Sequence, residues 1–145
     1  MKGTAPMATR TPAVRSTRPR TIVRILFGAM LTWAGISHLT VAREEFQAQV
    51  PKFVPLPTDV TVIASGVVEI SLGAALMLLA RRQVTVGWVV AVFFLAVFPG
   101  NIAQWMHHRD GFGLDTDTKR FVRLLFQPVL IAVSLWATNA LRKRR

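Results

Sequence analysis

Cysteine is absent from the 145-residue chain, which excludes disulfide exchange, thiolate catalysis, iron–sulfur clusters and cysteine-based metal sites. Acidic residues are scarce: seven Asp and Glu stand against 18 Lys and Arg, for a net charge of +11. No phosphate-binding glycine loop, nucleophile elbow or zinc-binding helix motif is present, so pattern alone announces no nucleotide, hydrolase or zinc-peptidase chemistry. What the chain has in abundance is apolar length. Hydrophobic residues make up 52% of it and the mean hydropathy is +0.41, high for so basic a sequence.

A hydrocarbon core about 30 Å thick takes roughly 20 mostly apolar residues per helix. Four runs meet that length, at residues 22–42, 60–80, 84–102 and 121–141, separated by segments rich in Pro, Gly and charge. Spanning strands would run about 10 residues and alternate polar with apolar, which these runs do not. The expectation is an all-α, integral membrane four-helix bundle.

The charge is sorted between the ends of that bundle. Twelve bases and no acid lie on one side, from Lys2 to Arg24, at Arg81 and Arg82, and from Arg142 to Arg145. The other side balances Arg43, Lys52, Arg109, Lys119, Arg120 and Arg123 against Glu44, Glu45, Asp59, Asp110, Asp115 and Asp117. Excess Lys and Arg beside short loops marks the cytoplasmic face, so the predicted topology is N-in and C-in. The basic charge then needs no nucleic acid. The lipid bilayer is the expected partner, anionic headgroups attracting the basic ends by about 1 kcal/mol per residue.

Residues 1–20 mix Thr, Pro, Ala and Arg without hydrophobic periodicity and read as a disordered basic cytoplasmic arm; residues 142–145 form a basic cytoplasmic tail. Thr40-Val41-Ala42 resembles a signal-peptide cleavage site, but the apolar run before it is long for a signal. Pro51, Pro55 and Pro57 stiffen the first outer loop. The turn at Arg81, Arg82 and Gln83 is short enough to make the second and third spans antiparallel neighbours. Pro99 and Gly100 loosen the third, and the sequence leaves open whether its helix stops there or continues through Asn101 to Met106. Trp88, Trp105 and Trp136 fall near span ends, where an indole suits the headgroup level. Gly28 with Gly35, and Gly66 with Gly73, each share a helix face suited to close contact.

Charge at mid-membrane costs about 2.5 to 3.5 kcal/mol on insertion scales, so Glu69, central in the second span, asks for a partner or a purpose. Ser65 and Gly73 share its face. At about 1.5 Å per residue, His38 lies ~9 Å outward of its span's midpoint, Gln127 ~6 Å outward, and Asn101 near the outer boundary. Arg123 is one turn above Gln127. These six, His38, Ser65, Glu69, Asn101, Arg123 and Gln127, are predicted to form one outward-opening polar pocket. The competing account is that they bond across helices and fix packing, at about 0.6 kcal/mol each. His107, His108, Asp110, Asp115 and Asp117 have metal-ligating chemistry, but adjacent His side chains point apart and the loop reads as a solvated Asp-Gly turn. No metal is expected there.

AGISHL ends the first span, VPKFVPLP follows outside, SGVVEI lies in the second, FPGNI ends the third and LLFQPVL lies in the fourth. In that order and spacing the five strings resemble the DoxX family of small four-helix membrane proteins, over Arg24 to Thr138. The resemblance implies an inner-membrane helical bundle, with His38, Glu69, Asn101 and Gln127 at the polar positions of its motifs and redox partner proteins in some relatives. Gly100 stands where Ala is expected, and without Cys any thiol-based role of relatives cannot operate here.

Three functions compete. A subunit or membrane anchor of a redox complex would use the outer pocket for a quinone headgroup, since His and Gln beside an acid can bind a carbonyl oxygen and supply a proton. The chain itself offers no electron carrier and need have no independent catalytic activity. A small proton-coupled transporter would use Glu69 and form a homo-oligomer, although the small multidrug carriers it resembles in outline place their acid in the first helix. A scaffold with no ligand would use the cluster for packing alone.

Overall fold

The computed structural model describes residues 15–142. Its regular elements are helices: α1 (Arg18–Leu39), the short α2 (Arg43–Gln47), α3 (Thr58–Leu78), a 3-10 turn (Ala80–Arg82), α4 (Gln83–Met106) and α5 (Asp117–Ala137). All but α2 and the 3-10 turn are long and apolar enough to cross a membrane. Most of the expected basic arm lies outside the described residues, as do residues 143–145. Arg18, Pro19 and Arg20, assigned by sequence to the arm, instead form the first turn of α1. Proline's fixed φ and missing donor suit that position.

The other helix ends also differ from the hydropathy windows, and local hydrogen bonding explains why. α1 stops at Leu39, short of residue 42, where the Ala42 N–H bonds back to the Ser37 carbonyl at 3.1 Å. α4 runs on through Pro99 to Met106, then ends with His108 in the left-handed region and Arg109 N–H bonded to the Gln104 carbonyl. α5 starts early because Thr116 caps it, accepting from the Lys119 N–H. It closes at Ala137 with Asn139 left-handed and Ala140 N–H on the Leu135 carbonyl. Both C-terminal endings are the six-to-one closure usual at a helix stop, with Asn or His where Gly is commoner.

The helices run alternately up and down. Arg24 near the start of α1 donates to the Leu76 and Met77 carbonyls at the end of α3. Arg20 reaches Asn139 beyond α5, so the two ends of the described chain share one end of the bundle, called here the termini end. At the other, the loop end, Arg109 donates to the Ala48 and Val50 carbonyls at 3.2 and 2.8 Å, and Glu45 accepts the Phe112 N–H.

α1 and α3 meet through glycine. A Cβ on Gly35 would lie 2.5 Å from the Gly66 carbonyl oxygen, and one on Gly28 would lie 2.7 Å from that of Gly73. Both expected glycine faces therefore meet each other. α4 packs on α5, and Phe27, Leu31, Leu76, Val86, Val90 and Phe94 knit the two pairs into one apolar cluster. Outside it the usual order is inverted. Leu95 is 61% exposed and Trp33 68%, while Gln104 is 1% exposed and Arg24 4%.

Candidate functional site

Each main helix brings a polar side chain to the loop end of the bundle. α1 brings His38, whose Nδ1 lies 3.0 Å from the Ser65 hydroxyl of α3. That hydroxyl donates to the Val62 carbonyl at 2.9 Å, so it accepts from His38 Nδ1–H, and in the neutral ring Nε2 is left bare. Nε2 faces Glu69 Oε2 at 3.6 Å, beyond hydrogen-bond reach but at ion-pair distance. Glu69 is also on α3, one turn from Ser65, and is 8% exposed.

The opposite wall is differently built. Asn101 of α4 donates to Gln127 Oε1 of α5 at 2.9 Å. Gln127 Nε2 in turn donates to the Phe94 carbonyl at 2.6 Å. Pro99 supplies no N–H to the Leu95 carbonyl, and this bond braces the turn just before it. Asn101 and Gln127 thus hold α4 to α5 and complete one another.

Between these walls lies a cavity of about 420 Å³. All six residues expected to form a polar pocket line it, joined by apolar side chains such as Met30, Leu31, Phe94 and Leu130. Four buried polar atoms of cavity-lining residues have no hydrogen-bond partner among the described residues: His38 Nε2, Gln49 Nε2, Glu69 Oε2 and Arg123 Nε. Buried polar atoms are nearly always satisfied, so four on residues around one cavity set this region apart from the rest of the bundle. Arg24 Nε, at the termini end, is a fifth such atom.

Sequence reasoning missed the roof. The Phe46 ring of α2 sits edge-on to His38, with ring centroids 3.4 Å apart. Phe46 meets Phe112 at 4.4 Å, and the Arg123 guanidinium lies 5.2 Å from the Phe112 centroid. An aromatic arch therefore joins α1 to α5 over the cavity. Gln49 comes in beside it, and Gly100 leaves room for the Gln49 carbonyl. A five-residue helix carries too few turns for hydrophobic periodicity to register. The buried amide of Gln49 had no sequence signal beyond its place before Pro51.

The loop beyond α4 is occupied with itself. His108 Nδ1 bonds Asp117 at 2.6 Å, Arg120 holds Asp117 and Asp110, and Lys119 holds Asp115 at 2.6 Å. The Lys119 ammonium keeps the Asp115 carboxyl below its usual range. Among the described residues no group of three or more His, Asp or Glu is gathered for a metal ion.

A family model described as a domain of unknown function (DUF8561) matches residues 27–138. The chain belongs to that family. The DUF8561 region takes in the whole cavity, from Met30 on α1 to Leu130 on α5, together with the Schellman-type closure of α4. It leaves out Arg24 and the first turns of α1. No curated protein and no solved structure matches the chain.

Proposed function

We propose that this protein is a multi-pass protein of a bacterial plasma membrane, of DoxX type, with both termini cytoplasmic, and that it serves as a subunit or anchor of a redox complex. Its cavity holds an amphipathic small molecule with a hydrogen-bond-accepting head, of which a quinone is the leading case. The observation that carries this reading is the group of four buried polar atoms without a hydrogen bond, all on residues lining a cavity whose walls are otherwise largely apolar. The Arg123 guanidinium and the Gln49 amide, both on residues lining the cavity, are donor groups suited to a carbonyl oxygen. The His38–Glu69 pair can hold a proton beside them. Such a mixture, a few convergent polar groups among apolar ones, is the usual make-up of a small-molecule site.

Membrane residence is supported by the inverted surface, since exposed Leu and Trp around buried Arg, Gln and Glu suit a lipid surround and not water. In this reading the electrons come from a partner protein. The transporter reading is less favoured. Leu31 and Phe94 line the cavity and belong to the same apolar cluster as Phe27, Leu76, Val86 and Val90, which counts against a polar path to the termini end among the described residues.

The test is native mass spectrometry with extraction and identification of bound small molecules, on protein purified gently from its own membrane. Natural protein is expected to carry an extractable quinone or similar amphiphile. His38→Ala should carry less, and Ala34→Phe, which fills the cavity from α1, should carry none. A natural protein that is consistently empty would leave a packing scaffold as the better account.

A further inference from the structure

The arginines of the loop end differ in what they spend their charge on. Arg43 is paired with Asp59 and Arg120 with Asp110 and Asp117. Arg109 is committed to the Ala48 and Val50 carbonyls. Arg123 has no carboxylate at ion-pair distance among the described residues; its Nε is buried and unpartnered, and its contact is the face of Phe112. A guanidinium set against a cavity wall without an anion is costly. It is also the group best suited to receive an oxygen anion.

We propose that the cavity binds an amphipathic organic anion, and that the anion enters together with one proton, which settles on the His38–Glu69 pair. This rests on the reading of the cavity as a ligand site and departs from it in the head group, an anion taking the place of the neutral quinone carbonyl. The charged or titratable side chains lining the cavity are His38 from α1, Glu69 from α3 and Arg123 from α5. α4 contributes Asn101 and the α2–α3 connection Gln49, both neutral. With Glu69 ionised, Arg123 already has a negative charge across the cavity, and an incoming anion would add a second. With one proton between His38 Nε2 and Glu69 Oε2, the pair is neutral overall in either arrangement, and Arg123 is free for the ligand. Ser65 makes that one-proton state natural, because its hydroxyl fixes the ring with Nε2 turned bare toward the acid.

The balance is simple. The anion brings one negative charge to Arg123, the proton cancels that of Glu69, and no bond is made or broken in the ligand. A weak acid with an apolar body fits this description, whether carboxylate or acidic phenol. Its neutral amide does not.

The experiment measures binding to detergent-purified, full-length protein of three probes: octanoate, octanamide and decyl-ubiquinone. Octanoate is expected to bind at least about tenfold more tightly than octanamide, as a charge-assisted contact to a guanidinium implies. Between about pH 6 and 10 its affinity should fall on the alkaline side by roughly tenfold per pH unit, the slope of one linked proton. In Glu69→Gln that slope should vanish. In Arg123→Gln the preference for octanoate over octanamide should be lost, and Arg123→Lys should restore part of it. The size-exclusion profile of each variant reports that it has folded. Octanoate binding with no pH slope in natural protein would overturn the proton coupling. Binding of decyl-ubiquinone but not octanoate would overturn the anion assignment and leave the ligand site standing. Failure of all three probes would count against the ligand site itself.

Discussion

At the scale of single residues, the cavity's polar groups divide into those that complete each other and those that do not. Gln127 belongs to the first kind, spanning Asn101 and the Phe94 carbonyl. Gln127→Leu should leave the buried Asn101 amide without its acceptor and cost about 1–3 kcal/mol, read as unfolding free energy in mild detergent. Adding Asn101→Leu should recover part of that loss, because removing both partners is cheaper than removing one. His38, Glu69 and Arg123 belong to the second kind. All six were legible in the sequence because a polar residue inside an apolar run is conspicuous. Which of them bond each other was not, since that depends on helix rotation. Gln49 was illegible for the opposite reason: in a polar loop, one more Gln carries no signal.

At the scale of the element, the α1–α3 contact depends on missing side chains. Gly35→Ala should place its methyl against the Gly66 carbonyl and the Ile70 side chain, 2.5 and 2.8 Å away, and force the helices apart. A cost of about 1–3 kcal/mol is expected from such overpacking, again read in detergent unfolding. Adding one heavy atom at exposed Ala64 instead, as Ala64→Ser, should be near neutral. The glycine faces were legible because a seven-residue spacing returns to one side of a helix. Helix ends were not. Hydropathy sees where apolar residues stop, whereas α5 is stopped by Asn139 adopting a left-handed turn while apolar Leu141 still lies ahead. Pro99 left the end of α4 open in the sequence. It loosens a turn without ending α4, and the bond from Gln127 braces the place where it does so.

At the scale of the whole molecule, the proposed topology has a direct readout, because a chain without Cys gives no background to thiol labelling. In intact cells or spheroplasts, Thr118→Cys at the loop end should react with a membrane-impermeant maleimide. Ala80→Cys at the termini end should react only after permeabilisation. Equal labelling of both in sealed cells would overturn the N-in, C-in arrangement. The four-helix plan itself was readable from the lengths of the apolar runs, since bilayer thickness and helix rise leave few alternatives. The roof over the cavity was not, because it is assembled from two connections far apart in sequence, Phe46 in one and Phe112 in the other.

The Arg24 contact to the Leu76 carbonyl spans 52 residues of sequence, and this imposes an order on biogenesis. A ribosome delivers the arginine long before it delivers the oxygen. In a bilayer, α1 alone would carry an unanswered cation at its termini end, held near the headgroups until α3 emerged. Its final depth and rotation are therefore fixed only when the end of α3 has been made. On the proposed membrane topology the two helices would reach their native places as a hairpin, the later-made α3 drawing α1 into register.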